Sequence, residues 1–155
     1  MDIKQIPIND IKPYDKNPRK NDLAVDKVAA SIKEFGFQQP IVTDKNGVII
    51  VGHTRYKAAI KLGLTDIPVL YANNLTNEQV KAYRLSDNKT NEFSEWDIDL
   101  LVGELGELKE FNFDMQPFGF EDMQPEVVED DFDVDKTLEK IIKPITKRGD
   151  IWQLD

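Results

Sequence analysis

Two β-branched runs, Pro40-Ile41-Val42-Thr43 and Val48-Ile49-Ile50-Val51, stand four residues apart and leave this chain few choices. Their spacer, Asp44-Lys45-Asn46-Gly47, holds the Asn-Gly pair favoured in tight turns, so the runs are predicted to pair as an antiparallel hairpin. The second run ends on Gly52-His53-Thr54-Arg55, after which Tyr56 to Leu62 reads as a helix stopped by Gly63. A strand that turns through glycine into a helix outlines a phosphate cradle. Glycine lets the backbone approach a ligand, the first helical amides have no partner of their own, and arginine offers a planar fork of donors.

The flanking pattern predicts a small α+β fold around that hairpin. Lys4 to Pro13 alternates apolar residues and carries two prolines, which suits a short edge strand and a turn. Asn17-Pro18-Arg19 marks a bend. Asn21 or Asp22 is placed to cap a helix with apolar positions Leu23, Val25, Val28, Ala29 and Ile32, ended by Gly36. Asp66 to Tyr71 returns as a strand. Thr76 and Gln79 have the spacing of a capping box ahead of Val80, Ala82, Tyr83 and Leu85, and the polar residues 86–91 are predicted to interrupt that helix. Trp96, Ile98, Leu100, Leu101, Leu105 and Leu108 form a further helical stripe, weakened by Gly103 and Gly106. Residues 111–125, with Phe111, Phe113, Phe118 and Phe120, are too apolar for a free linker and are expected to fold back on the core.

The 155 residues leave room for one ordinary core and an appendage. With no cysteine there is no thiol nucleophile, disulfide framework or cysteine zinc site, and with His53 alone there is no histidine cluster. The first residues lack an apolar signal core and no run approaches the roughly 20 apolar residues of a membrane span, so a cytoplasmic protein without membrane contact is expected. The net charge of −9 is divided unevenly. Through Phe93 there are 14 Lys or Arg against 11 Asp or Glu, whereas from Ser94 onward there are 6 against 18. DNA contact therefore has to come from the front, weakly and with strong salt dependence. The acidic run 126–135 reads either as a solvated linker or as a partner-binding or DNA-mimicking segment.

Five motifs occur in one order: Asn17-Pro18-Arg19; Leu23 with Ala29-Ala30-Ser31-Ile32; Gly36 with Gln39-Pro40-Ile41; Gly52-His53-Thr54-Arg55 with Ala58-Ala59; and Leu62-Gly63 with Ile67-Pro68-Val69. Over residues 3–95 they resemble the ParB/sulfiredoxin superfamily, often labelled ParB-like nuclease. The resemblance implies a small mixed sheet with packed helices. It leaves function open among partition CTPases, a sulfinic acid reductase, a serine kinase and modules fused to methyltransferases. It also implies that Gly52, His53, Thr54 and Arg55 form the phosphate-binding turn and that Arg19 and Gln39 line a nucleotide pocket. Asp87 and Asn88 fall on a Glu-Asn pair linked to the nucleotide's metal, and Asp keeps a hard oxygen ligand there.

The departures from the family pattern matter as much. His53 stands where sulfiredoxins carry their cysteine, which removes the reductase nucleophile. Thr54 replaces one arginine of the partition motif, and Asn91 replaces another. Arg19 also reads as a helix cap or a partner of Asp15 or Asp22, Arg55 as a structural ion pair, and His53 as a plain surface donor.

Lys147-Arg148-Gly149-Asp150-Ile151-Trp152-Gln153-Leu154 resembles the opening segment of phage and bacterial DNA adenine or cytosine-N4 methyltransferases that carry a ParB-like domain in front. The expected organisation is a ParB-like domain over 1–95, a helical and aromatic extension over 96–125, an acidic linker over 126–147 and the start of a methyltransferase domain at 148–155. No Asp/Asn-Pro-Pro-aromatic motif or glycine loop for S-adenosylmethionine is present, so this piece is not expected to transfer methyl groups. The functional expectation is an accessory domain of a DNA methyltransferase that binds DNA, a nucleoside triphosphate with Mg, or both, with homodimerisation as a further option. The alternative is a nucleoside triphosphate hydrolase or a metal-dependent DNA nuclease.

Overall fold

Four strands join in one mixed sheet in the order β1-β4-β2-β3, with β1 at Ile3–Pro7, β2 at Ile41–Thr43, β3 at Ile49–Val51 and β4 at Asp66–Tyr71. They belong to a computed structural model that describes residues 2–120. β1 runs antiparallel to β4, from Ile3 opposite Leu70 to Pro7 opposite Asp66, and its edge position tolerates Pro7. β2 runs parallel to β4, with Ile41 opposite Val69, and antiparallel to β3, with Val42 opposite Val51.

The hairpin forms where the sequence places it, and Asp44 closes it. Its carboxylate accepts the amides of Asn46 at 2.8 Å and Val48 at 3.0 Å. Gly47 has φ +77°, and a Cβ there would lie 2.9 Å from the carbonyl oxygen of Asp10, in the 3-10 turn Ile8–Asp10. Only glycine meets both conditions.

Helices α1 (Asp22–Phe35) and α2 (His53–Lys61) pack against each other. Ile11, Ile41, Ile49, Ile67 and Val69 are buried around Ala59 of α2. A fully buried side chain of this size contributes about 1.5 to 3 kcal/mol, so these few residues carry much of the domain's stability. Asn21 precedes α1 but does not cap it; its side chain donates to the Thr54 hydroxyl at 2.7 Å instead.

Helix α3 (Asn77–Thr90) opens on the capping box read from sequence: the Thr76 amide donates to Gln79 Oε1 at 2.8 Å, and the Gln79 amide to Thr76 Oγ1 at 3.3 Å. The expected break at 86–91 does not occur before Thr90. Ser86, Asn88 and Thr90 donate to the carbonyls of Tyr83, Arg84 and Asp87, so their polar groups bond along the helix rather than disrupting it. Helix α4 (Ile98–Glu110) starts on Asp97, whose carboxylate accepts the Leu100 amide at 3.2 Å. Beyond it, Phe118 and Phe113 lie against Phe35 of α1, with ring centroids 5.3 and 6.0 Å away. The expectations for 126–147 and 148–155 concern residues outside those described.

Candidate phosphate-binding cleft

The turn from β3 into α2 is built by Gly52, which caps the helix in the left-handed region at φ +104°. Having no side chain, it leaves the first amides of α2 without a side-chain acceptor. A Cβ at this position would sit 3.2 Å from Arg55 Nε and 3.3 Å from Ile41 Cγ1, so glycine is also what lets Arg55 fold back over the turn.

A cleft of about 1030 Å³ opens beside these amides. Arg19, Gln39, Gly52, His53, Thr54, Arg55, Asp87 and Asn88 all line it, so the structure brings together every site residue singled out from the sequence. Arg55 Nη1 donates to Gln39 Oε1. Burial of Arg55 holds its guanidinium below the ordinary arginine value, with Asp87 opposing that shift. A half-desolvated fork of donors beside helical amides that no side chain caps is suited to an anion with several oxygens. Arg19 Nη1 donates to the Asn88 carbonyl at 2.8 Å and Asn88 Oδ1 at 3.4 Å, rather than pairing with Asp15 or Asp22. Lys57 pairs with Asp22 at 2.6 Å and donates to Asn21 Oδ1 at 3.1 Å, closing the rim between α1 and α2.

His53 is not a plain surface donor. Its Nε2 accepts the Tyr14 amide at 3.3 Å. Burial, then the charges of Arg84 and Lys57, push its pKa from 6.5 down to about 4, so the ring is neutral at neutral pH. That state is poorly placed for acid-base chemistry near pH 7.

The ParB N-terminal domain family matches residues 1–89, more than half of the chain. The chain belongs to that family. It is 38% identical over 74 residues to the ParB-like nuclease domain-containing protein YnaK of Escherichia coli (strain K12), covering 47% of this chain and 85% of that one. To the probable chromosome 2-partitioning protein ParB of Deinococcus radiodurans it is 35% identical over 92 residues, 56% of this chain. It spans only 31% of that relative's length. The C-terminally truncated chromosome-partitioning protein ParB of Caulobacter crescentus, complexed with CTP-γ-S, superposes with a TM-score of 0.61 over 76% of this chain and 68% of that one. At 18% identity that likeness is one of fold.

In this ParB-type domain Asp87 and Asn88 face the same cleft as the glycine turn. A magnesium ion that keeps most of its waters needs only one or two carboxylates together with phosphate oxygens, and Asp87 fits that demand. Asn88 is already engaged through Oδ1 to Arg19 and Nδ2 to the Arg84 carbonyl, which fits it to orient rather than to ligate. Among the described residues no group of three or more His, Asp or Glu gathers into a protein-only metal cage. None of their helices is long and apolar enough to cross a membrane.

Arg84 escaped the sequence reading. It is only 4% exposed, although it carries a charge. Its signal was spacing: four residues after Val80, it shares the face of α3 that Val80 buries.

Proposed function

We propose that this domain binds the phosphate chain of a nucleoside triphosphate in the cleft, with Mg held through Asp87, and couples that binding to DNA. The observation that carries the reading is the start of α2, where the Gly52 cap leaves the first amides without a side-chain acceptor, in a cleft that Arg55 and Asp87 also line. In this arrangement the α2 amides and Arg55 take phosphate oxygens, Gln39 orients Arg55, and Arg19 holds the end of α3 over the site. The CTP-γ-S complex of the Caulobacter protein makes CTP the first nucleotide to test. DNA contact would use the mildly basic front of the chain. The resemblance of 147–154 supports an accessory role in cis to a DNA methyltransferase that uses S-adenosylmethionine.

Calorimetric titration with CTP, ATP and ADP, with and without magnesium, tests the central claim. Saturable binding that weakens from triphosphate to diphosphate is expected; silence toward all three nucleotides overturns it. The coding sequence downstream of Asp155 tests the accessory role. An S-adenosylmethionine loop with an Asp/Asn-Pro-Pro-aromatic motif is expected there, and their absence defeats that part.

A further inference from the structure

Arg84 is the one buried charge in the core of the described residues. Its Nε donates to the Ile49 carbonyl at 3.1 Å, on the strand that runs into the glycine turn. Its guanidinium lies 3.8 Å from the centroid of the Tyr14 ring. A desolvated cation over an aromatic face is held by the ring's negative quadrupole, which fixes where Tyr14 sits. The Tyr14 backbone amide in turn meets His53 Nε2 at 3.3 Å. Because a backbone N–H can only donate, Nε2 has to be the unprotonated nitrogen and Nδ1 has to carry the proton.

We propose that Arg84 is a positioning residue for the phosphate turn: through Tyr14 it fixes His53 as the Nδ1–H tautomer, so that the neutral imidazole presents a donor to an anion in the cleft. This rests on the reading of the cleft as a phosphate site. The chain of contacts runs from α3 through the loop before α1 to the first residue of α2.

The experiment uses the full chain and two readouts. Nitrogen NMR of the His53 ring at neutral pH reports its tautomer without any ligand, and calorimetry with inorganic triphosphate reports affinity. In the parent, Nδ1 is expected to be protonated and Nε2 bare. Arg84→Met and Tyr14→Leu are each expected to mix the two tautomers and weaken triphosphate binding about tenfold, with the double variant no worse than either single one. Tyr14→Leu keeps the Arg84 bond to Ile49 and decides the matter if Arg84→Met does not fold. A His53 tautomer unchanged in a folded Tyr14→Leu variant overturns the relay, as does unchanged triphosphate affinity. If the parent binds no triphosphate, the phosphate reading and the donor role of His53 fall together, while the tautomer result still decides whether Arg84 and Tyr14 set the ring.

Discussion

The guanidinium of Arg19 donates to the backbone carbonyl of Asn88 at 2.8 Å, tying the Asn-Pro-Arg bend to the last turn of α3 across 69 residues of chain. The carbonyls at a helix C-terminus lack helical partners and carry partial negative charge, so a cation is favoured there. Both partners line the cleft. We expect Arg19→Ala to cost under about 1 kcal/mol of stability, because the bond is exposed, yet to weaken triphosphate binding measurably. Equal affinities in parent and variant would assign Arg19 to structure alone.

Arg55→Ala is expected to remove about 1.5 to 3 kcal/mol of binding free energy, the worth of a charge-assisted hydrogen bond, while the melting temperature barely moves. Arg55→Lys should recover only part of this, since a point charge cannot make the forked contact. Full recovery by lysine, read in the same titration, would mean that only net charge matters.

At Gly52 backbone and side-chain effects act together. Gly52→Ala places a Cβ at φ +104°, a conformation that costs an L-residue about 1 to 2 kcal/mol, and pushes it to within 3.2 Å of Arg55 Nε. Denaturant unfolding should show that loss, and triphosphate affinity should fall with it because Arg55 is displaced. A variant as stable as the parent would show that the turn relaxes freely.

The hairpin, the capping box at Thr76 and the glycine turn were legible in the sequence because each is written in residues a few positions apart. Arg55 and Gln39 could be named as candidate site residues, but not that one donates to the other. The role of His53 was hidden for a different reason. Its acceptor function depends on an amide 39 residues earlier, and its depressed pKa on burial and on Arg84, none of which has a local pattern. The continuity of α3 was misread because Ser86, Asn88 and Thr90 look like helix breakers until their partners are seen to be carbonyls of the same helix.

His53 also makes stability depend on pH. Its folded pKa of about 4 lies below the unfolded value of 6.5, so the unfolded chain takes up a proton that the folded chain refuses. The stabilisation is complete above pH 6.5 and is lost as pH falls toward 4. His53→Gln, whose amide oxygen can still accept from Tyr14, should remove this part of the slope and leave that of the carboxylates. Identical pH-stability curves for parent and variant between pH 4 and 6.5 would place the His53 pKa near its ordinary value.

The acidic rear of the chain should oppose DNA binding at the front. Residues 121–155 carry 11 Asp or Glu against 5 Lys or Arg. The structure dictates where to cut: Phe113 and Phe118 pack on Phe35, so a truncation at 112 would strip α1 of its aromatic cover, whereas one after Phe120 keeps it. The 1–120 piece is expected to bind nonspecific duplex more tightly than the full chain at low salt, because self-repulsion is removed. With the Debye length shortened from about 30 Å at 0.01 M to about 3 Å at 1 M, the difference should vanish at high salt. Fluorescence anisotropy with a labelled duplex across that range checks both arms. A gap that survives high salt, or no gap at low salt, would show that the tail's charge does not act on DNA binding.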